Sequence, residues 1–235
     1  MEVPQISIEG YTRKAVGKKN DIQGDLKVLW VDVETTGLVP GKHGIFQMAF
    51  IVEIGGKVVD RDNFFMNPEG REFDPKALEV TGYTEERIKS FPNWKVAYKR
   101  IISFLKKWVN PRDKTDKFLV AGQNVKFDVD FWMDFWKACE DDYLYSYIKS
   151  GAFIDTLYMV TVLQWAGILP LTERRRNEDL AKLMGVELSG VTLHNALEDI
   201  ELTRKIGNKM LYYIRVQNNW VSSRRMEKDC QKGVF

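Results

Sequence analysis

Cysteine is almost absent: 235 residues hold only Cys139 and Cys230. Two cysteines build no disulfide scaffold, so a reducing compartment is the expectation. Long apolar runs are missing too. The longest apolar-rich stretch, Leu157 to Leu171, is broken by Gln164 and Pro170 and is too short to span a bilayer. The first thirty residues carry Glu2, Glu9, Arg13, Lys14, Lys18, Lys19, Asp21 and Asp25, which leaves no apolar stretch for a signal peptide. No repeat period and no low-complexity tract is visible, against solenoids and propellers. A soluble cytoplasmic protein is expected. Charge of one sign is lacking as well: 35 Lys+Arg face 33 Asp+Glu, a net +2. That balance reads against a nucleic-acid binder, because phosphate contacts need clustered Lys and Arg. What is present, 44% hydrophobic and 29% charged residues, is ordinary for a globular chain and argues against disorder, collagen and coiled coil.

Residues 1–25 are polar with no sustained period and read as an extension or linker. Leu26 to Val33 is β-branched and apolar on both faces, a central buried strand. Phe46–Ile54 and Lys57–Met66 flank Gly55-Gly56, a hairpin signal. A looser region, Asn67 to Pro92, follows. Trp94 to Trp108 carries the stripe of an amphipathic helix, with further helices over Phe127–Cys139, Asn177–Met184 and Asn195–Ile214. Phe118–Ala121 and Ala152–Ile154 read as short strands, with Asp155 placed to cap the helix after it. The order predicts α/β layers around one mixed sheet. The tail after residue 214 is basic, with Arg215, Arg224, Arg225, Lys228 and Lys232 against Glu227 and Asp229.

Several acids sit where acids are costly. Alternation puts Val28, Trp30, Asp32 and Glu34 on one face of the first strand, two carboxylates beside buried aromatics. Either the strand end emerges into solvent, or a divalent cation takes both oxygens and removes their repulsion. Asp128 shares its helix face with Phe131, Trp132 and Phe135, whereas Asp130 shares a wet face with Asp134, Lys137 and Asp141. Asp128 is therefore the inward acid, and a helix-terminal cap is its structural alternative. Asp199 lies with Ala196, Thr203, Ile206 and Met210, while Glu198 and Glu201 lie off that stripe, Glu201 poised to pair with Lys205. His194, five residues before Asp199, is about 140° away around a helix and suits the preceding loop. His43, in a Gly-flanked loop without acidic neighbours, reads as exposed.

These motifs converge on a pattern. VDVETTGL (Val31–Leu38), GQNVKFDVDF (Gly122–Phe131) and HNALEDIELT (His194–Thr203) resemble the three blocks of the DEDDh family of 3′→5′ exonucleases, which includes the proofreading subunit of bacterial DNA polymerase III. NPEGREFDPKALEVTGYT (Asn67–Thr84) and IDTL (Ile154–Leu157) fit more weakly. The resemblance covers roughly residues 26–214. It implies a ribonuclease-H-like mixed five-stranded sheet with helices on both faces as a single domain, flanked by the extension 1–25 and the basic tail 215–235. It implies Asp32, Glu34, Asp128 and Asp199 as the metal-holding acids of two divalent cations, Mg²⁺ or Mn²⁺, with His194 as general base.

By the same resemblance Thr35 and Leu38 would contact the terminal nucleotide, although Thr35–Gly37 also reads simply as a turn. Asn124 and Phe127 fit supporting or base-wedging positions, and Phe127 equally fits the core. Gln123 stands where many members have His. Asp155 reads as a cap, Trp132 and Trp136 as core, and Arg174–Arg176 as a phosphate grip or a solvated run. The implied partner is nucleic acid with a free 3′ end, with a DNA polymerase as a possible second partner and no membrane. An RNA-trimming enzyme, an endonuclease and a non-catalytic binding module are the competing readings. The near balance of charge then acquires another meaning: several acids belong to a site that is negative before its cations bind.

Overall fold

The structure, a computed structural model, describes residues 26–188 and 195–217. The extension 1–25, His194 and the tail beyond residue 217 lie outside the described residues. The buried run at the start is strand β1, Lys27–Thr35, two residues longer at its end than its sequence suggests, so Glu34 is still within the strand. Strands β2 (Ile45–Ile54) and β3 (Lys57–Phe65) form the expected hairpin, and Gly55 and Gly56 turn it with φ of 59° and 79°. Two successive positive φ values match the right-handed twist of the flanking strands, and glycine adopts them without strain. Strands β4 (Phe118–Gly122) and β5 (Ile148–Asp155) complete a sheet ordered β3-β2-β1-β4-β5. The pairings β1·β2 and β2·β3 are antiparallel, and β1·β4 and β4·β5 are parallel. This is the mixed, ribonuclease-H-like sheet with helices on both faces.

Both faces of β1 are apolar because both are covered. Leu29, Val31 and Val33 join Met48, Phe50 and Phe64 against helices α3 (Trp94–Lys106) and α4 (Val125–Ala138). The stripe expected in α3 is the buried one: Ala97, Ile101, Phe104 and Leu105. Trp132 and Trp136 lie in this core, rings 5.6 Å apart and edge to face, as their spacing suggests. On the opposite face Val28, Trp30, Ala49 and Ile51 meet Ala196 and Ile200 of helix α7 (Ala196–Gln217). A third cluster joins α7 to α5 (Thr156–Trp165) and α6 (Asn177–Met184) through Val160, Leu163, Leu180, Met184 and Ile206. Helix α7 comes close to the sheet at Gly207, where an added Cβ would lie 2.6 Å from the Trp30 ring.

Four readings change. The looser region 67–92 holds two short helices, α1 (Pro75–Thr81) and α2 (Glu85–Lys89). Helix α1 buries no side chain and α2 only Ile88, so neither writes an apolar stripe into the sequence. Their starts are fixed by Asp74 accepting from the Lys76 N–H and Thr84 from the Arg87 N–H. Strand β5 begins at Ile148 rather than Ala152, and α7 runs through Arg215 to Gln217. Glu201 pairs with Arg204 at 2.8 Å rather than with Lys205, because Arg204 also reaches the buried Glu53 at 3.2 Å. No helix among the described residues is long and apolar enough to cross a membrane.

Candidate active site

The carboxylates meet at the end of β1. Asp32 is opposite Ala49 and Glu34 opposite Gln47, and both acids project toward the α7 face, as alternation requires. Asp199 enters from the first turn of α7. Asp32, Glu34 and Asp199 each offer an oxygen within 4.8 Å of the other two. Strand alternation supplies two of these acids and the helix laid across the same face supplies the third.

Asp128 reaches the group from α4. Strand β4 pairs with β1 only over Val28–Trp30, so farther along β1 the backbone facing β4 has no strand partner. Asp128 replaces it: its Oδ1 accepts from the Val33 N–H at 3.0 Å, between the two strand acids. It is buried, so the inward reading holds, and its structural task is to pin the strand as much as to start a helix. Asp155 is also buried and is the cap its sequence position suggests. Its Oδ1 accepts from Leu157 N at 2.9 Å and Asn124 N at 3.1 Å, and its Oδ2 from Val125 N at 3.1 Å. One carboxylate thus fixes the starts of α5 and α4 together. Asn124 occupies the left-handed region, φ 54°, where Asn is tolerated better than most residues. Its side chain is exposed. Gln123 donates to the Arg175 carbonyl at 3.2 Å, and the Arg175 guanidinium is held by Thr161 and Gln164 of α5. Arg174 and Arg176 are exposed.

The loop after β1 is built by its hydroxyls. Thr35 donates to the Gly37 carbonyl at 2.7 Å, and the buried Thr36 donates to Glu72 O and accepts from Gly44 N–H. Leu38, four residues after Glu34, is 72% exposed, a large apolar side chain left in water. Phe127 is half-buried against Phe131, ring centroids 4.8 Å apart. His43 corrects its sequence reading, since it is buried at 6% exposure. Its Nδ1 accepts from the Val39 N–H at 3.1 Å, and the ring fills the space where Gly37 has no side chain. The flanking glycines therefore make room for the imidazole rather than expose it. Gln47 was not singled out by the sequence reasoning. It is fully buried and donates to Asn63 Oδ1 at 3.2 Å and Asn195 Oδ1 at 3.4 Å. Asn195 in turn caps Leu197 N, so Gln47 ties the sheet to the start of α7. The signal was there: Gln47 is the single polar residue in the apolar run Ile45–Val52.

Without a counter-charge this arrangement opposes ionisation. Burial pushes the Asp32 carboxyl well above the usual range, reinforced by Asp128, Glu34 and Asp199. Burial and then Asp199 push Glu34 up to about 7. Burial raises Asp128 too, against the opposing hydrogen bond from Val33. Hard divalent cations take oxygen ligands at about 2.0–2.6 Å, so two oxygens on one ion lie within roughly 5 Å of each other. The Asp32–Glu34–Asp199 group satisfies that span and could hold a metal ion.

Known proteins give the same picture. Residues 29–206 match the RNase_T family, described as Exonuclease. Among curated proteins, DNA polymerase III PolC-type of Bacillus subtilis is 29% identical over 180 residues, which are 77% of this chain and 11% of that protein. The 3′-5′ DNA exonuclease Cap18 of Escherichia coli is 28% identical over 75% of this chain and 89% of its own length. DNA polymerase III subunit epsilon of Pasteurella multocida is 28% identical over 73% and 63%. E. coli exonuclease I, solved with single-stranded DNA and zinc, superposes with a TM-score of 0.64 at 20% identity, covering 82% of this chain and 41% of that one. The chain thus spans about a tenth of the PolC-type polymerases and under half of exonuclease I. It belongs to the exonuclease family.

Proposed function

We propose, from this family membership, that the chain hydrolyses phosphodiester bonds from the 3′ end of DNA and releases nucleoside 5′-monophosphates. The observation that carries the reading is the Asp32–Glu34–Asp199 group, three acids that each offer an oxygen within 4.8 Å of the other two. Asp32, Glu34 and Asp199 would hold two divalent cations, with Asp128 in support from α4. Such ions polarise the phosphate, lower the pKa of a bound water and stabilise the leaving 3′-oxygen. His194 takes the proton of the attacking water; an unperturbed imidazole pKa of about 6.5 suits a base near neutral pH. Exposed Leu38 and half-buried Phe127 offer apolar surface to the terminal base, while Thr35 and Asn124 shape the backbone around it. DNA is favoured over RNA by the names of the relatives, a DNA exonuclease and DNA polymerases. A polymerase partner rests on the likeness to the epsilon subunit alone.

The test is release of mononucleotides from 3′-labelled single-stranded DNA and RNA in Mg²⁺ or Mn²⁺. Asp32→Ala and Asp199→Ala are expected to abolish release while the chain stays folded, and His194→Ala to lower it steeply and flatten its pH profile. Equal activity in EDTA would sink the metal-dependent reading. Cutting of a circular single strand would turn it into an endonuclease.

A further inference from the structure

A second cleft, of about 320 Å³, opens at the β3 edge of the sheet between β3, the segment of residues 81–92 and α3. Its size is at the lower end of ordinary ligand sites, about 300–1,000 Å³. The sheet register relates it to the acids. Asp32, Ala49 and Asn63 lie in one cross-strand row, and Glu34, Gln47 and Phe65 in the next. Directly paired residues project to the same face. Asn63 and Phe65 therefore stand on the carboxylate face two strands away, roughly 10 Å at the usual strand spacing. The buried amide of Gln47 spans the gap by donating to Asn63 and Asn195.

The lining has a definite chemistry. Phe65 and Phe91 have ring centroids 5.0 Å apart, and Tyr83 and Phe91 6.0 Å, so three half-buried rings form one aromatic wall. Two guanidinium groups border it. Arg87 lies 5.3 Å over the Phe91 ring and, among the described residues, has no carboxylate partner. Arg100, on α3, lies 5.4 Å over Phe64 of the opposite sheet face, so the cleft straddles the β3 edge, and it meets Asp62 only at 3.9 Å, with both side chains substantially exposed. An exposed ion pair that long is weak and exchanges readily for another anion. Rings that offer π-faces beside arginines that fork onto phosphates are the elements by which single strands are bound without sequence preference.

We propose that this cleft binds the single strand behind its 3′ end: Arg87 and Arg100 take backbone phosphates, and the Phe65–Tyr83–Phe91 wall takes a base. The inference rests on the proposed exonuclease reading and narrows it to an unpaired strand, because a base stacked on that wall is not paired. It also explains how a chain of net charge +2 holds a polyanion, with two well-placed arginines rather than an overall positive field.

The test is fluorescence anisotropy of a 5′-labelled twelve-residue DNA single strand, with the full chain carrying Asp32→Ala so that nothing is cleaved. Adding Arg87→Ala with Arg100→Ala is expected to weaken binding about tenfold and to reduce the slope of log affinity against log salt by about 1.4, two phosphate contacts on a single strand. Phe91→Ala is expected to weaken binding by about fivefold or more without altering the slope. A fully paired duplex is expected to bind less tightly than the single strand. Unchanged affinity and slope in the double arginine variant, with its thermal unfolding unchanged, would overturn the proposal and leave the cleft to a protein partner. Failure of the parent to cleave any 3′ end would defeat the exonuclease reading without altering this measurement, which needs no cleavage.

Discussion

Asp32 shows how far a residue can be placed against its own stability. Its half-buried carboxyl lies among three other acids, and each of them raises the cost of its negative charge. Asp32→Asn keeps the shape and removes the charge. In EDTA at pH 8 the variant is expected to resist urea better than the parent by about 1–2 kcal/mol. It is also expected to lose any stabilisation by Mg²⁺ or Mn²⁺. Urea unfolding with and without metal reads both effects, and a less stable Asn variant in EDTA would show that Asp32 is not held against its charge. The acids were legible in the sequence because an inward carboxylate breaks an apolar period that is otherwise easy to read. His43 was not, since the glycine that makes room for it looks the same in sequence as one that loosens a loop. The bond from Val33 to Asp128 was hidden as well, because it depends on β4 ending three pairs into β1, which no residue of either motif announces.

At the scale of elements, the site depends on how closely α7 lies on the sheet. Asp199 rides on this helix, and Gly207, two turns farther along, lets the helix backbone approach Trp30. Gly207→Ala sets two effects in opposition. Alanine favours the helix by about 1 kcal/mol, whereas forcing a methyl to 2.6 Å from a buried indole costs about 1–3 kcal/mol in overpacking. The ring is buried, so the clash is expected to win, with a net loss of about 1 kcal/mol and a weaker metal response as α7 lifts. A variant more stable than the parent would show that the helix yields freely at this point. The long elements were legible because each buries a stripe: α3 and α4 against one face, α7 against the other. Helices α1 and α2 were not, since capping side chains rather than burial define them.

For the whole molecule, the acids turn the near balance of charge into a dependence on pH and metal. Glu34 has its folded-state pKa raised from 4.5 to about 7. The stability linked to it is fully present below pH 4.5, where the carboxyl is protonated in both folded and unfolded chains. That stability is lost as pH rises through about 7, because the folded state then gives up a proton from an unfavourable place. Asp32 and Asp128 shift in the same direction and add to the loss. In EDTA the melting temperature should therefore fall between pH 5 and pH 8. A divalent cation that binds only the folded site reverses the trend, adding about 2.7 kcal/mol at a hundredfold excess over its dissociation constant. Protons compete for the same oxygens, so the gain from Mg²⁺ or Mn²⁺ must grow with pH. Calorimetry across that range, with and without metal, checks both signs at once. A metal gain that shrinks as pH rises would mean that the ion is held elsewhere than on these carboxylates.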